Sequence, residues 1–176
     1  MALMHRLATR ADVPSLEPMV MRAIDELQRD YLDAREIAAS HAIMGLDSQL
    51  IDDGTYFVVE DDGALAGCGG WSRRTTLFGG DHSAGRDAHL LDPRTDPARV
   101  RAMYTHPDFT RRGVGRLILH LCEQAAKSEG FTRMQLHATL SGLPLYTAYG
   151  FEPLEEVTIE SEGVPIPCVH MVKPIG

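Results

Sequence analysis

Apolar residues recur at helical spacing over Leu16, Met19, Val20, Ala23, Ile24 and Leu27, with Glu17, Arg22, Glu26 and Arg29 between them, which predicts an amphipathic helix. Asp12-Val13-Pro14-Ser15 gives that helix an N-cap with proline just inside it, behind a short first strand over Leu3 to Thr9. A second helical piece runs from about Ala34 to Met44 and ends near Gly45, and a short third carries Leu46, Leu50 and Ile51 up to Asp53-Gly54. Tyr56-Phe57-Val58-Val59 reads as a strand, Asp61-Asp62-Gly63 as a tight turn and Ala64 to Trp71 as the returning strand, so this region predicts a hairpin.

From Thr75 to about Pro97 no period is sustained, and the richness in Gly, Asp, Arg and His predicts a long exposed loop. Val100 to Thr105 is the next strand, closed by His106-Pro107 because proline removes a ladder donor. A helix opens at Gly113, is expected to bury Val114, Leu117, Ile118, Leu121, Cys122 and Ala125, and stops near Ser128-Glu129-Gly130. Met134 to Thr139 is a strand with no nearby partner, so the strand, helix, strand unit predicts a right-handed crossover with parallel strands. Leu143 to Tyr149 predicts a short helix ending at Gly150, and two last strands run over 155–160 and 167–173. No repeat and no linker interrupts the chain, so one domain spanning 1–176 is expected.

Composition narrows the classes. With 44% apolar and 24% charged residues the chain is of ordinary globular type, and a formal charge of −8 argues against nucleic-acid binding while suiting a cationic small substrate. Cys68, Cys122 and Cys168 are odd in number and lack paired spacing, which suggests neither a disulfide framework nor a metal site and fits a reducing cytoplasm. No run is long and apolar enough for a membrane span, so no membrane association is expected.

The segment Thr105-His106-Pro107-Asp108-Phe109-Thr110-Arg111-Arg112-Gly113-Val114-Gly115-Arg116 sets a glycine-rich turn between a strand and the first turn of a helix. The first helical N–H groups have no internal partners and lie at the positive end of the helix dipole, so this geometry suits a diphosphate. Gly113 and Gly115 keep side chains out of the way, and Arg111, Arg112 and Arg116 offer charge-assisted contacts. No Gly-Lys-Ser/Thr follows and no third glycine comes at the required offset, so neither a Walker loop nor a dinucleotide fingerprint is present.

This segment, followed by Leu145-Tyr146-Thr147-Ala148-Tyr149-Gly150-Phe151, resembles the two central motifs of the GNAT superfamily of acyl-CoA N-acyltransferases. The order of elements is similar as well; the long loop over 75–97 is the exception. The resemblance implies an α/β (α+β) fold with a mixed, largely antiparallel central sheet, a parallel pair splayed at the cofactor site and helices on both faces. It implies acetyl-CoA as co-substrate without a metal, its pantetheine arm paired with the backbone of Met103, Tyr104 and Thr105 and its pyrophosphate on loop 111–116. Thr110 stands where the family usually has Gln or Arg, and Thr139 where it often has a pantetheine-binding Asn, so Thr139 is the shorter donor there.

The same resemblance implies direct acetyl transfer to a primary amine of a small molecule, with Tyr146 as the acid that protonates the departing sulfur and Tyr149 as a packing residue. No carboxylate lies on the strand from Val100 to Thr105, and His137, His106 and Asp108 remain open as bases, with none assigned. Glu26, Tyr31 and Trp71 are candidate walls for the acceptor, with Glu26 and Asp30 one helical turn apart. Two alternatives stay open: acetylation of a protein N-terminus or lysine, and a non-catalytic acyl-CoA sensor. The apolar stretch Val164 to Val172 suits either a homodimer contact or the chain's own core.

Overall fold

Seven strands form one mixed sheet in the order β1-β2-β3-β4-β5-β7-β6 in a computed structural model that describes residues 2–83 and 87–176. The strands are β1 (Leu3–Leu7), β2 (Tyr56–Asp61), β3 (Ala64–Ser72), β4 (Ala98–Thr105), β5 (Arg133–Thr139), β6 (Glu152–Ser161) and β7 (Val164–Pro174). Every neighbouring pair is antiparallel except β4 and β5, as the crossover unit predicts. The helices are α1 (Val13–Glu26), α2 (Ala34–Ser40), α3 (Ser48–Asp52), α4 (Val114–Ser128) and α5 (Leu143–Tyr149).

Alternation along the strands sends neighbours to opposite faces. Val59 packs with α4 residues Val114, Ile118 and Leu119, whereas Tyr56 and Val58 pack with α1 residues Leu16, Val20 and Ile24. Helices therefore cover both faces. The α1 stripe is the one its periodicity predicts, with Leu16, Met19, Val20, Ala23 and Ile24 buried. Truncating Leu16, 1% exposed, to Ala would cost roughly 2–5 kcal/mol through lost transfer energy and the cavity left behind.

On α4 the buried set is Val114, Ile118, Leu119, Cys122 and Ala126; Leu117, Leu121 and Ala125 are half-buried at the stripe's edge, so the expected face is rotated. The cause lies in β3. A Cβ on Gly67 would stand 2.5 Å from Val114 Cγ1 and one on Gly69 2.9 Å from Ile118 Cγ2. The glycines form a flush strip onto which α4 settles, and Val114 and Ile118 become its contact line.

The last two strands are longer than 155–160 and 167–173, joining through a turn in which Glu162 and Gly163 both have positive φ. β7 includes Pro165 and Pro167, and β5 pairs only with Cys168 to Pro174. The prolines lie beyond the end of β5, where β7 has a partner on one side only and a missing N–H costs no ladder bond. Between β5 and β6, β7 has both edges occupied over most of its length, so the apolar stretch serves the chain's own core.

The segment between β3 and β4 has no helix or strand among its described residues; residues 84–86 lie outside them. It is less exposed than its composition suggests. Arg73 pairs with Glu129 and Arg74 with Asp53, each at 2.7 Å, Asp81 accepts from Ser48 N–H at 3.0 Å, and Ser83 donates to the Ala42 carbonyl at 2.9 Å. These contacts tie the segment to α3, α4 and the chain after α2.

Candidate active site

Parallel pairing between β4 and β5 consists of Ala98 with Met134 and Arg99 with Gln135, after which the strands part. Val100 to Thr105 keep β3 on one side and face a gap on the other. A cavity of about 100 Å³ lies there, with Ala102, Met103 and Tyr104 on one wall, His137 and Thr139 on the other and Tyr146 above. An unpaired strand edge of this kind accepts an extended amide-bearing chain as if it were another strand.

The β4 ladder is interrupted at Ala102, whose φ of 50° matches the register shift between Cys68 and Gly70. Tyr56, fully buried, donates its hydroxyl to the Ala102 carbonyl at 2.6 Å and so holds the bulge from behind β3. Tyr104 points its side chain away from the gap, accepting from Gly45 N–H at 2.8 Å, so it offers the gap its main chain. Beside it Arg101 pairs with Asp47 at 3.0 Å, both side chains 2% exposed, and donates to the Gly79 carbonyl at 2.6 Å.

At the far end of β4 the chain turns through Pro107–Phe109 and enters α4. Gly113 is the N-cap in the left-handed region, with φ 86°, and no side chain caps the helix. The first-turn N–H groups of Val114, Gly115 and Arg116 therefore keep no capping acceptor, which an anion would supply. The two glycines serve different ends. A Cβ on Gly113 would meet nothing within 4 Å, so backbone conformation alone favours glycine there, whereas one on Gly115 would lie 2.5 Å from Leu145 Cδ2. Gly115 thus lets α5 pack closely against α4.

The arginines also divide. Arg111 is exposed, with φ 61°; Arg112 pairs with Asp61 at 3.2 Å and lies over the Phe109 ring; Arg116 lies over the Tyr149 ring, 5.7 Å from its centroid. Thr139 Oγ1 accepts from Gly142 N–H at 3.2 Å and meets Ser141 Oγ at 3.1 Å, so it shapes the turn into α5 while lining the cavity. Tyr146 is directed into the gap by α5, whose left-handed C-cap Gly150 ends the helix. Burial, with Tyr104 and Cys122 nearby, pushes its phenol up, so it stays protonated at neutral pH.

Of the residues open as bases, only His137 lines the cavity. Its Nδ1 is buried without a partner among the described residues, its ring stacks on Phe78 with centroids 5.9 Å apart, and burial, with His170 and Arg99 near, pushes it down to about 4. His106 uses Nδ1 to accept from Asp108 N–H at 3.0 Å, and Asp108 faces Arg22 at 3.6 Å. Glu26 is held by Arg22 at 2.6 Å, and Asp30 lies beyond the end of α1, so the expected acidic pair on one helix does not form. Tyr31 is exposed, and Trp71 is buried on the α4 side against Phe131, away from the gap. Phe78 and Leu77 reach the cavity from an aperiodic loop, and nothing in their local sequence marks them.

Among the described residues no group of three His, Cys, Asp or Glu is placed to hold a metal ion, and no helix is long and apolar enough to cross a membrane. Cys68, Cys122 and Cys168 are buried free thiols.

A model of the acetyltransferase (GNAT) family matches residues 21–151. Among solved structures, a GCN5-related N-acetyltransferase from Rhodopseudomonas palustris superposes with a TM-score of 0.72 at 16% identity, covering 99% of this chain and 96% of that one. The PaiA N-acetyltransferase from Thermoplasma acidophilum, in complex with coenzyme A, gives 0.67 at 14% identity, with 99% of each chain covered. YncA, a putative acetyltransferase from Salmonella typhimurium with acetyl-CoA, gives 0.65 at 17% identity, with 100% of this chain and 95% of that one covered. At these identities the structural likeness speaks for the fold.

Proposed function

Since the chain belongs to the GNAT acetyltransferase family, we propose that it moves the acetyl group of acetyl-CoA to a primary amine of a small molecule by direct attack. The observation that carries the small-molecule reading is the roof over the gap: Phe78 stacks on His137, and Arg101 holds the Gly79 carbonyl. A peptide acceptor needs an open groove on this face, and the segment after β3 occupies it.

The unpaired edge of Met103, Tyr104 and Thr105 takes the pantetheine amides, and the uncapped first turn of α4 takes the pyrophosphate, with Arg111, Arg112 and Arg116 at its rim. The amine attacks the thioester carbonyl at the level of the Ala102 bulge. As the tetrahedral adduct collapses, the carbon–sulfur bond breaks, Tyr146 gives its proton to the leaving sulfur, and the proton shed by the amine nitrogen passes to solvent, from which the phenolate is reprotonated. Its place on the cavity wall supports a donor role, with the phenol protonated before transfer.

The reading is tested by calorimetry with acetyl-CoA on wild type, Gly113→Trp and Tyr146→Phe, beside thiol release with a panel of amines. Binding lost in Gly113→Trp, and binding kept with turnover reduced by roughly 10²–10⁴ in Tyr146→Phe, is the expected pattern. A folded wild type that does not bind acetyl-CoA refutes it.

A further inference from the structure

Arg99 is a half-buried cation with two buried guanidinium nitrogens that nothing among the described residues accepts from. It forms the last rung of the β4–β5 pair, opposite Gln135, where the strands part. Its Nε and Nη1 are buried with no hydrogen-bond partner among the described residues, and Asp96 is the one carboxylate that acts on it. Guanidinium groups in this state are costly unless something accepts from them. Arg101, on the same face of β4, differs: Asp47 and the Gly79 carbonyl hold it.

The surroundings of Arg99 lead to the cavity. Gln135 and His137 share a face of β5, and His137 lines the gap with Nδ1 also unpartnered among the described residues. His170, across on β7, stands edge-on to His137 with centroids 5.1 Å apart, and its Nε2 lies 2.5 Å from Gln135 Oε1. Glu155 lies 3.9 Å from His170 on the far side, away from Arg99 in the strand order. The row therefore sets two unpartnered guanidinium nitrogens of Arg99 one rung behind His137, which lines the cavity and has an unpartnered Nδ1 of its own.

Resting on the acetyltransferase reading above, we infer that the acceptor amine carries a carboxylate, bound by the Arg99 guanidinium with His137 Nδ1–H as second donor. A single negative charge balances Arg99, whereas a phosphate dianion would need a further cation, and Arg101 is held by Asp47. The overall charge of −8 pointed instead to a cationic substrate; the local field around Arg99 has the opposite sign.

The test uses the full chain with acetyl-CoA and matched amine pairs that differ only in a carboxylate or carboxamide: β-alanine, 4-aminobutyrate and glutamate against their amides. Thiol release should favour at least one carboxylate over its amide by roughly tenfold or more in kcat/KM, as one charge-assisted contact predicts. Arg99→Met should erase that ratio while keeping acetyl-CoA affinity and melting no lower than wild type, since it removes two buried nitrogens that lack an acceptor. Arg99→Lys should retain part of the ratio. No carboxylate preference in wild type, or a preference that survives Arg99→Met, overturns the inference. Failure of the folded wild type to bind acetyl-CoA fails the acetyltransferase reading itself, and the inference with it.

Discussion

The hydroxyl of Tyr56 on β2 reaches past β3 to the carbonyl of Ala102 on β4, 2.6 Å away, and lies 3.2 Å from Cys68 Sγ on the intervening strand. A residue outside the gap thus holds the Ala102 bulge of the cavity wall, beside which the proposed reaction would set the acyl group. Tyr56→Phe should cost about 1–3 kcal/mol, because the carbonyl loses its partner in a buried setting. Turnover should fall further than acetyl-CoA affinity, as the bulge positions the reacting carbonyl and not the arm. Denaturant melts and steady-state kinetics on the same preparation separate the two effects.

Gly113 and Gly115 should respond differently to the same added methyl. Gly113→Ala meets no atom within 4 Å but places alanine at φ 86°, a conformational penalty of roughly 1 kcal/mol. Gly115→Ala pushes on Leu145, 2.5 Å from the new Cβ, and should cost about 1–3 kcal/mol unless α5 shifts. A shift of α5 carries Tyr146 with it, so Gly115→Ala should lose turnover out of proportion to its change in melting temperature.

Asp47 accepts from Gln49 N–H at 3.0 Å as the N-cap of α3 and pairs with Arg101. Asp47→Ala removes both and leaves a guanidinium in the interior, so the loss should reach about 3–5 kcal/mol. Asp47→Asn, which keeps a capping oxygen but not the charge, should lose less; urea midpoints of the two variants check the order.

His137 has a folded pKa near 4 against an ordinary value of 6.5, through burial first and then His170 and Arg99. Between these values the unfolded chain binds a proton that the folded chain does not, so stability falls as pH drops from 6.5 towards 4. Denaturation midpoints at both ends of that window should show a smaller acid loss in His137→Gln than in wild type.

Much of this was legible in the sequence, and the residues show why. The α1 stripe and the β2–β3 hairpin follow from period and turn chemistry alone, and the start of α4 from Gly113 at a strand-to-helix junction. The α4 stripe was misread by part of a turn because its orientation is set by Gly67 and Gly69 on a distant strand, and no helical period carries that information. That Gly115 also makes room for α5 was not legible, because its neighbour Leu145 is remote in sequence. Phe78 and Tyr56 were missed for the same reason: each acts through a partner on another strand, and each sits in an unremarkable local pattern.

The outer strand β6 has a neighbour on one side only, and its exposed Glu152, Glu155, Glu156 and Glu160 line the open margin with like charge. A second molecule docking strand to strand would lay an identical row alongside, so in dilute buffer the margin is guarded by repulsion and not by a physical cover. Such a guard dissolves in brine: the screening length shrinks from about 10 Å at 0.1 M to about 3 Å at 1 M. Concentrated salt should therefore weaken that guard, and sedimentation at 0.1 M and 1 M salt would read any association along β6 as a rise in mass at the higher salt.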